Sequence, residues 1–119
     1  MAGQLTIDTL KASSGVLATQ NGMTGIAKAW VNFAGATATI TGSFNVGSIT
    51  KNGTGDFTIN FTTAMPDATY SLVGTCQGGS VAAFEIDGGT YTASACRVLT
   101  RIPSGSYVDV TPVCAVVLR

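Results

Sequence analysis

Charged side chains are scarce in this sequence. Only 10% of its 119 residues are Asp, Glu, Lys or Arg, and the six basic and six acidic residues cancel. A typical soluble domain carries about 25% charged residues, so too few remain here to cover an isolated surface. We therefore expect other subunits to cover part of it. Nucleic acid is not an expected partner, because binding to phosphates needs a basic stripe.

Histidine is absent altogether. Ser-His-Asp, Cys-His and His-zinc sites therefore cannot be built, which removes most enzyme classes. A pair of carboxylates could still hydrolyse a glycoside, but nothing in the sequence places two of them in one cleft. We interpret them as solvated surface groups and predict a protein that is not an enzyme and has no metal or cofactor. The carboxylates considered are Asp56, Asp67, Glu85, Asp87 and Asp109.

Long apolar runs and a signal peptide are also missing. No run approaches the roughly 18 residues that a transmembrane helix needs, so no membrane insertion is expected. The first residues have neither a basic nor an apolar signal region, which predicts assembly in a cytoplasm. The cysteines are odd in number, and their spacing fits neither a zinc site nor a redox Cys-x-x-Cys motif. We expect Cys76, Cys96 and Cys114 to be small buried hydrophobic residues.

The pattern that is present is the two-residue alternation of β-strands. It is clearest in Asp56–Thr62, where Phe57, Ile59 and Phe61 share one face and polar residues share the other. The preceding Asn52–Gly55 tolerates positive φ angles, so the chain can reverse there from an earlier strand. No segment of useful length shows the helical period. The alternation therefore predicts an all-β chain.

Further strands and turns follow at regular intervals. Turn signals recur at residues 77–80, 87–90 and 103–106, and short strands at about 8 to 12 residue spacing are typical of an antiparallel sandwich. We predict an antiparallel, jelly-roll-like β-sandwich over residues 26–119, preceded by a short extended N-terminal arm over residues 1–25. The remaining strands are predicted at residues 26–33, 37–42, 43–50, 69–76, 81–86, 91–102, 107–110 and 113–118.

The arm could pack on a neighbouring subunit or dock the domain onto a larger structure. A frayed end or an ordinary edge strand of the same sandwich remains an alternative. Within the sandwich, alternation places Trp30 on the same face as Lys28 and Asn32. A tryptophan on a mostly polar face is either half-covered by its own loops or buried by a partner chain. We therefore single out these three residues as a candidate oligomer contact.

Four further residues are candidates for exposed recognition loops. Gln77 and Asp87 lie in predicted turns, and Tyr91 and Tyr107 lie near predicted strand ends. Tyrosines at such positions could stack on sugar rings, although ordinary packing at the edge of the core is the alternative.

The segment Lys28–Tyr70 resembles a module found in tail-fibre and related virion proteins of tailed bacteriophages. The resemblance covers a little over a third of the chain and rests on the order and spacing of two blocks. The first is Lys-Ala-Trp-Val-Asn-Phe at residues 28–33. The second is Asn-Gly-Thr-Gly-Asp-Phe-Thr-Ile-Asn-Phe-Thr-Thr-Ala-Met-Pro at residues 52–66. In that family the module usually ends a much longer protein with a shaft, whereas only about 25 residues precede it here.

The resemblance implies a virion structural protein that assembles in the cytoplasm of a host bacterium, as a homotrimer. The first expectation is a tail-fibre or tail-tip component whose outer loops touch a host surface glycan or protein. The alternative is a capsid decoration protein that stabilises the head, with the arm contacting other virion proteins. A more remote alternative is a bacterial carbohydrate-binding module. The family brings no shared catalytic residues.

Overall fold

The computed structural model describes Gly3 and residues 25–78 and 83–119, with the backbone alone described for residues 86–90. This part of the chain contains strands and no helix. Alternating apolar residues and β-branched side chains favour strands over helices. The eight strands are β1 Ala27–Ala34, β2 Thr39–Phe44, β3 Val46–Gly53, β4 Asp56–Phe61, β5 Ser71–Cys76, β6 Ala83–Tyr91, β7 Ala95–Arg101 and β8 Val113–Leu118.

The strands form two antiparallel sheets of four. The first sheet has the order β2-β1-β8-β5 and the second has the order β3-β4-β7-β6. Three pairs of consecutive strands form hairpins, β1 with β2, β3 with β4 and β6 with β7. β8 inserts between β1 and β5 to complete the first sheet. The predicted all-β antiparallel sandwich is confirmed. Most of the predicted N-terminal arm lies outside the described residues.

The core lies between the two sheets and follows the predicted alternation. Phe57 and Ile59 on β4 are buried, and Phe61 on the same face packs edge-on against Tyr70. Phe33 from the first sheet meets Phe57 from the second edge to face, with ring centroids 5.1 Å apart. Such aromatic pairs contribute beyond the area that they bury. This pair therefore joins the two sheets near the end of β1 and the start of β8, close to Gly35.

The start of β1 departs from simple alternation. In the pairing with β8, Ala27 lies opposite Leu118 and Ala29 lies opposite Val117, so one extra residue, Lys28, is accommodated by a bulge. Lys28 and Ala29 are consequently both buried, with Lys28 only 1% exposed. The prediction that Lys28 shares the exposed face of Trp30 is therefore wrong, because the bulge reverses the direction of this one side chain.

Three other local predictions are wrong. Residues 87–90 do not form a turn but belong to β6, where an irregular register between Ile86 and Tyr91 takes up the extra residues. Residues 107–110 do not form a strand: Tyr107 makes one isolated bridge to Arg101. The amide of Val108 donates to Thr100, whereas the carbonyl of Val110 accepts from Gly35. This segment crosses the end of the sandwich, so its backbone bonds go to several elements instead of one neighbouring strand.

The strand predicted at residues 91–102 is wrong at its start, because Tyr91 ends β6 and the chain turns at residues 92–94 before β7 begins at Ala95. The remaining strands lie near their predicted positions. β8 has its predicted bounds, whereas β2 and β3 begin two and three residues later than predicted. Gly55 has a φ angle of 64°, as the predicted turn between β3 and β4 requires. The turn predicted at residues 77–80 lies partly outside the described residues.

Candidate interaction surface

The first sheet carries almost no charge. Its four strands contain a single charged residue, Lys28, whose side chain is buried. The outer face of this sheet, the face turned away from the core, therefore presents no charged side chain. Charged residues are normally frequent on exposed surface, so an uncharged sheet face marks a candidate contact surface.

Four apolar side chains cross this outer face from edge to edge. The registers place Phe44 beside Trp30, Trp30 beside Val116, and Val116 beside Val73. Phe44 is 43% exposed, Trp30 is 44% exposed and Val73 is 54% exposed. We call this set, one residue from each strand of the first sheet, the apolar row. Leu118 lies two residues along β8 from the row and is also exposed.

The two halves of the apolar row differ in relief. The indole of Trp30 lies over Gly42 of β2, where a Cβ would meet the ring at 3.4 Å. The aromatic half is therefore raised. On the other side of Trp30 lies a shallow depression of about 360 Å³, floored largely by β8 and β5. Its lining side chains include Trp30, Asn32, Val73, Thr75, Cys114 and Val116.

The outer face of the second sheet is polar and satisfies its own hydrogen bonds. The amide of Asn60 donates to the hydroxyls of Ser48 and Thr50, at 3.1 and 2.9 Å. The amide of Asn52 donates to Thr58 at 2.9 Å in the same way. Cross-strand pairs of this kind stabilise a face that remains in water. The two sheets therefore differ, and the first has the outer face suited to a contact.

Comparisons with protein-family profiles, curated protein sequences and solved structures found no significant match. Among the described residues, no helix is long and apolar enough to cross a membrane. In the same part of the chain, no group of three His, Cys, Asp or Glu side chains could hold a metal ion.

The three residues predicted as an oligomer contact do not share one face. Trp30 and Asn32 both lie on the outer face of the first sheet, whereas Lys28 is buried. Sequence reasoning missed Phe44, Val73, Val116 and Leu118, since the register that aligns them cannot be seen in any single strand. One signal was available: β8 reads Val-Cys-Ala-Val-Val-Leu, without polar alternation. A short continuous apolar run is consistent with a strand that is covered on both faces.

The predicted recognition residues do not form one site. Gln77 is exposed and lines a depression of about 650 Å³ at one end of the sandwich. Val108 also lines this depression, and Tyr107 is its neighbour in the chain. Tyr107 is 50% exposed and stacks under the guanidinium of Arg101. Tyr91 is the last residue of β6 and pairs with Cys96 at the start of β7, far along β7 from Arg101. It is half-buried against Tyr70 and does not lie on an exposed loop. The side chain of Asp87 lies outside the described part.

The carboxylates with described side chains are each paired with a cation. The pairs are Asp56 with Arg97, Asp67 with Arg119, Glu85 with Arg101 and Asp109 with Lys51. A general acid of a glycosidase needs a raised pKa. Three of these pKa values are instead lowered.

Hydrogen bonds are the main cause of these lowered values. The bond from Arg97 lowers the pKa of Asp56. The hydroxyl and amide of Thr69, followed by Arg119, lower the pKa of Asp67 to about 2. Burial raises the pKa of Asp109, but hydrogen bonds from Lys51 and from the amide of Gly55 outweigh it. These carboxylates are thus held in the ionised form as structural partners.

The three cysteines are free and differ in their surroundings. Cys96 is buried in the core, and burial raises its thiol pKa to about 12. Cys76 is half-buried, and burial raises its pKa as well. The expectation of buried cysteines thus holds for Cys96, whereas Cys114 is half-buried on the outer face of the first sheet, beside the apolar row.

Proposed function

We propose that this chain is a non-catalytic structural protein of a tailed-bacteriophage particle. In this proposal it is a tail-fibre or tail-tip component that contributes to host attachment and docks on its neighbours through the outer face of the first sheet. The observation that carries the docking role is the uncharged face crossed by the apolar row. The resemblance of Lys28–Tyr70 to a tail-fibre module supports the location in the particle.

Physical chemistry supports a contact on this face. Burying apolar area contributes roughly 25 cal/mol per Å², and a face without charges loses no ion hydration when a partner covers it. A half-exposed tryptophan is also the residue type most enriched at the centres of protein interfaces. The ion-paired carboxylates support a structural role over a catalytic one. The resemblance implies a homotrimer; the two-fold pair inferred below is an alternative to it, and the two differ in the mass expected in solution.

Immunogold electron microscopy tests the location. An antibody raised against the purified chain should label particles released from the lysed host, with the gold confined to the tail or its tip. Gold over the head lattice would assign the chain to capsid decoration instead. Particles that carry no label, in a lysate where the antibody detects the free chain, would contradict a virion role.

A further inference from the structure

We infer that the partner on the outer face of the first sheet is a second copy of this chain, packed face to face about a two-fold axis. This inference deepens the proposed docking role by naming its partner. The axis would lie between the two copies, parallel to the strands and above the line that separates β1 from β8 in each sheet. Each copy would then bury the same apolar row, as in other isologous contacts.

Charge is the first argument for a second copy. If a partner placed ionised groups opposite the apolar row, those groups would lose their hydration and gain no opposite charge, since the face offers none. The partner's own face must therefore be uncharged. The second sheet does not meet this condition. Its strands contain six charged residues, Lys51, Asp56, Glu85, Asp87, Arg97 and Arg101. The outer face of the first sheet in another copy of the chain is uncharged and therefore suits this role.

Shape is the second argument. A half-turn about the proposed axis reverses the strand order, so β2 of one copy lies over β5 of the other and β1 lies over β8. Phe44 then faces Val73 of the second copy, and Trp30 faces its Val116. The raised aromatic half of each copy therefore meets the half that contains the depression of about 360 Å³. Large side chains opposite small ones are what close packing of two faces needs.

The size of the face predicts a reversible pair. Four strands about 4.8 Å apart and six residues rising about 3.4 Å each give a face of roughly 20 by 20 Å. This is at the small end of specific interfaces, where binding is weak and exchange is fast. We therefore expect pairs at high micromolar concentration and single chains after dilution. A particle that holds many copies close together would keep the pairs formed.

Sedimentation velocity of the purified chain tests the pair. The wild-type chain should sediment as a dimer at high concentration and as a monomer after dilution. Val73→Lys places an unpaired ammonium opposite Phe44 of the second copy and should weaken association roughly tenfold or more. Phe44→Ser should weaken it as well. Both positions are exposed, so circular dichroism of the two variants should match the wild type.

Thr50→Lys is the matched control. It adds the same charge at an exposed position on β3, an edge strand of the second sheet, and should leave the dimer unchanged. A wild-type monomer at high concentration, a trimer, or a dimer that Val73→Lys leaves intact would overturn the inference. A monomeric chain found in virions would overturn the pair and keep the proposed function. A dimer absent from virions would overturn the function and keep the pair.

Discussion

The directions of the side chains at the start of β1 depend on one inserted residue, which forms a bulge. The bulge at Lys28 turns this lysine into the protein, whereas Trp30 stays on the outer face. Alternation from the sequence alone places both on one face, because a bulge leaves no mark in the hydrophobic pattern. The carbonyl of Lys28 accepts a hydrogen bond from the amide of Asn45, a residue with a φ angle of 55°. Asn45 is among the residue types that tolerate this conformation.

Gly55 is the residue where the turn between β3 and β4 has least tolerance. A Cβ there would lie 2.5 Å from the carbonyl oxygen of Thr100 and 2.7 Å from the amide nitrogen of Val108, at a positive φ. Gly55→Ala should lower the free energy of unfolding by about 2 kcal/mol or more. Gly53→Ala, in the same turn with no atom within 4 Å of the added Cβ, is the control. Urea denaturation measures both, and equal effects would contradict this account.

At the scale of elements, the sequence predicts where strands lie better than it predicts which strands pair with one another. β4 and β8 are found because each has a clear apolar signal and clear ends. The segment 107–110 looks like a strand by composition, but its backbone partners come from distant parts of the chain. Strand order depends on such long-range pairing. The sequence therefore does not predict the apolar row, although it does single out Trp30 as an exposed member of it.

Phe57 and Phe44 separate the two roles that an aromatic residue plays in this sandwich. Phe57 is fully buried and pairs with Phe33 across the sheets, whereas Phe44 is 43% exposed. Phe57→Ala should destabilise the fold by about 3–5 kcal/mol, because it leaves a cavity in the core. Phe44→Ala should cost about 1 kcal/mol or less in dilute solution. Denaturant unfolding of both variants checks this, and a reversed order of the two effects would show that the core is misassigned.

In the described part of the molecule, charge is divided unequally between the two sheets. Ion pairs and the polar hydrogen bonds of Asn52 and Asn60 keep the second sheet suited to water. Among the described residues, no comparable ion pairs or polar hydrogen bonds lie on the outer face of the first sheet. The low total charge predicts that some surface is shared with other subunits, and the strand order shows which sheet has the uncharged outer face. The sparse charge and the apolar row both agree with the proposal that the second sheet faces water and the first faces a partner.

Quenching of Trp30 fluorescence by acrylamide tests the contact face most directly. Trp30 is the single tryptophan of the chain and lies in the middle of the apolar row, so the whole signal comes from the proposed contact. The account predicts strong shielding in concentrated wild-type protein and ready quenching after dilution or in Val73→Lys. Quenching that is equally strong at every concentration, in wild type and variant alike, would contradict the claim that this face is covered by a partner.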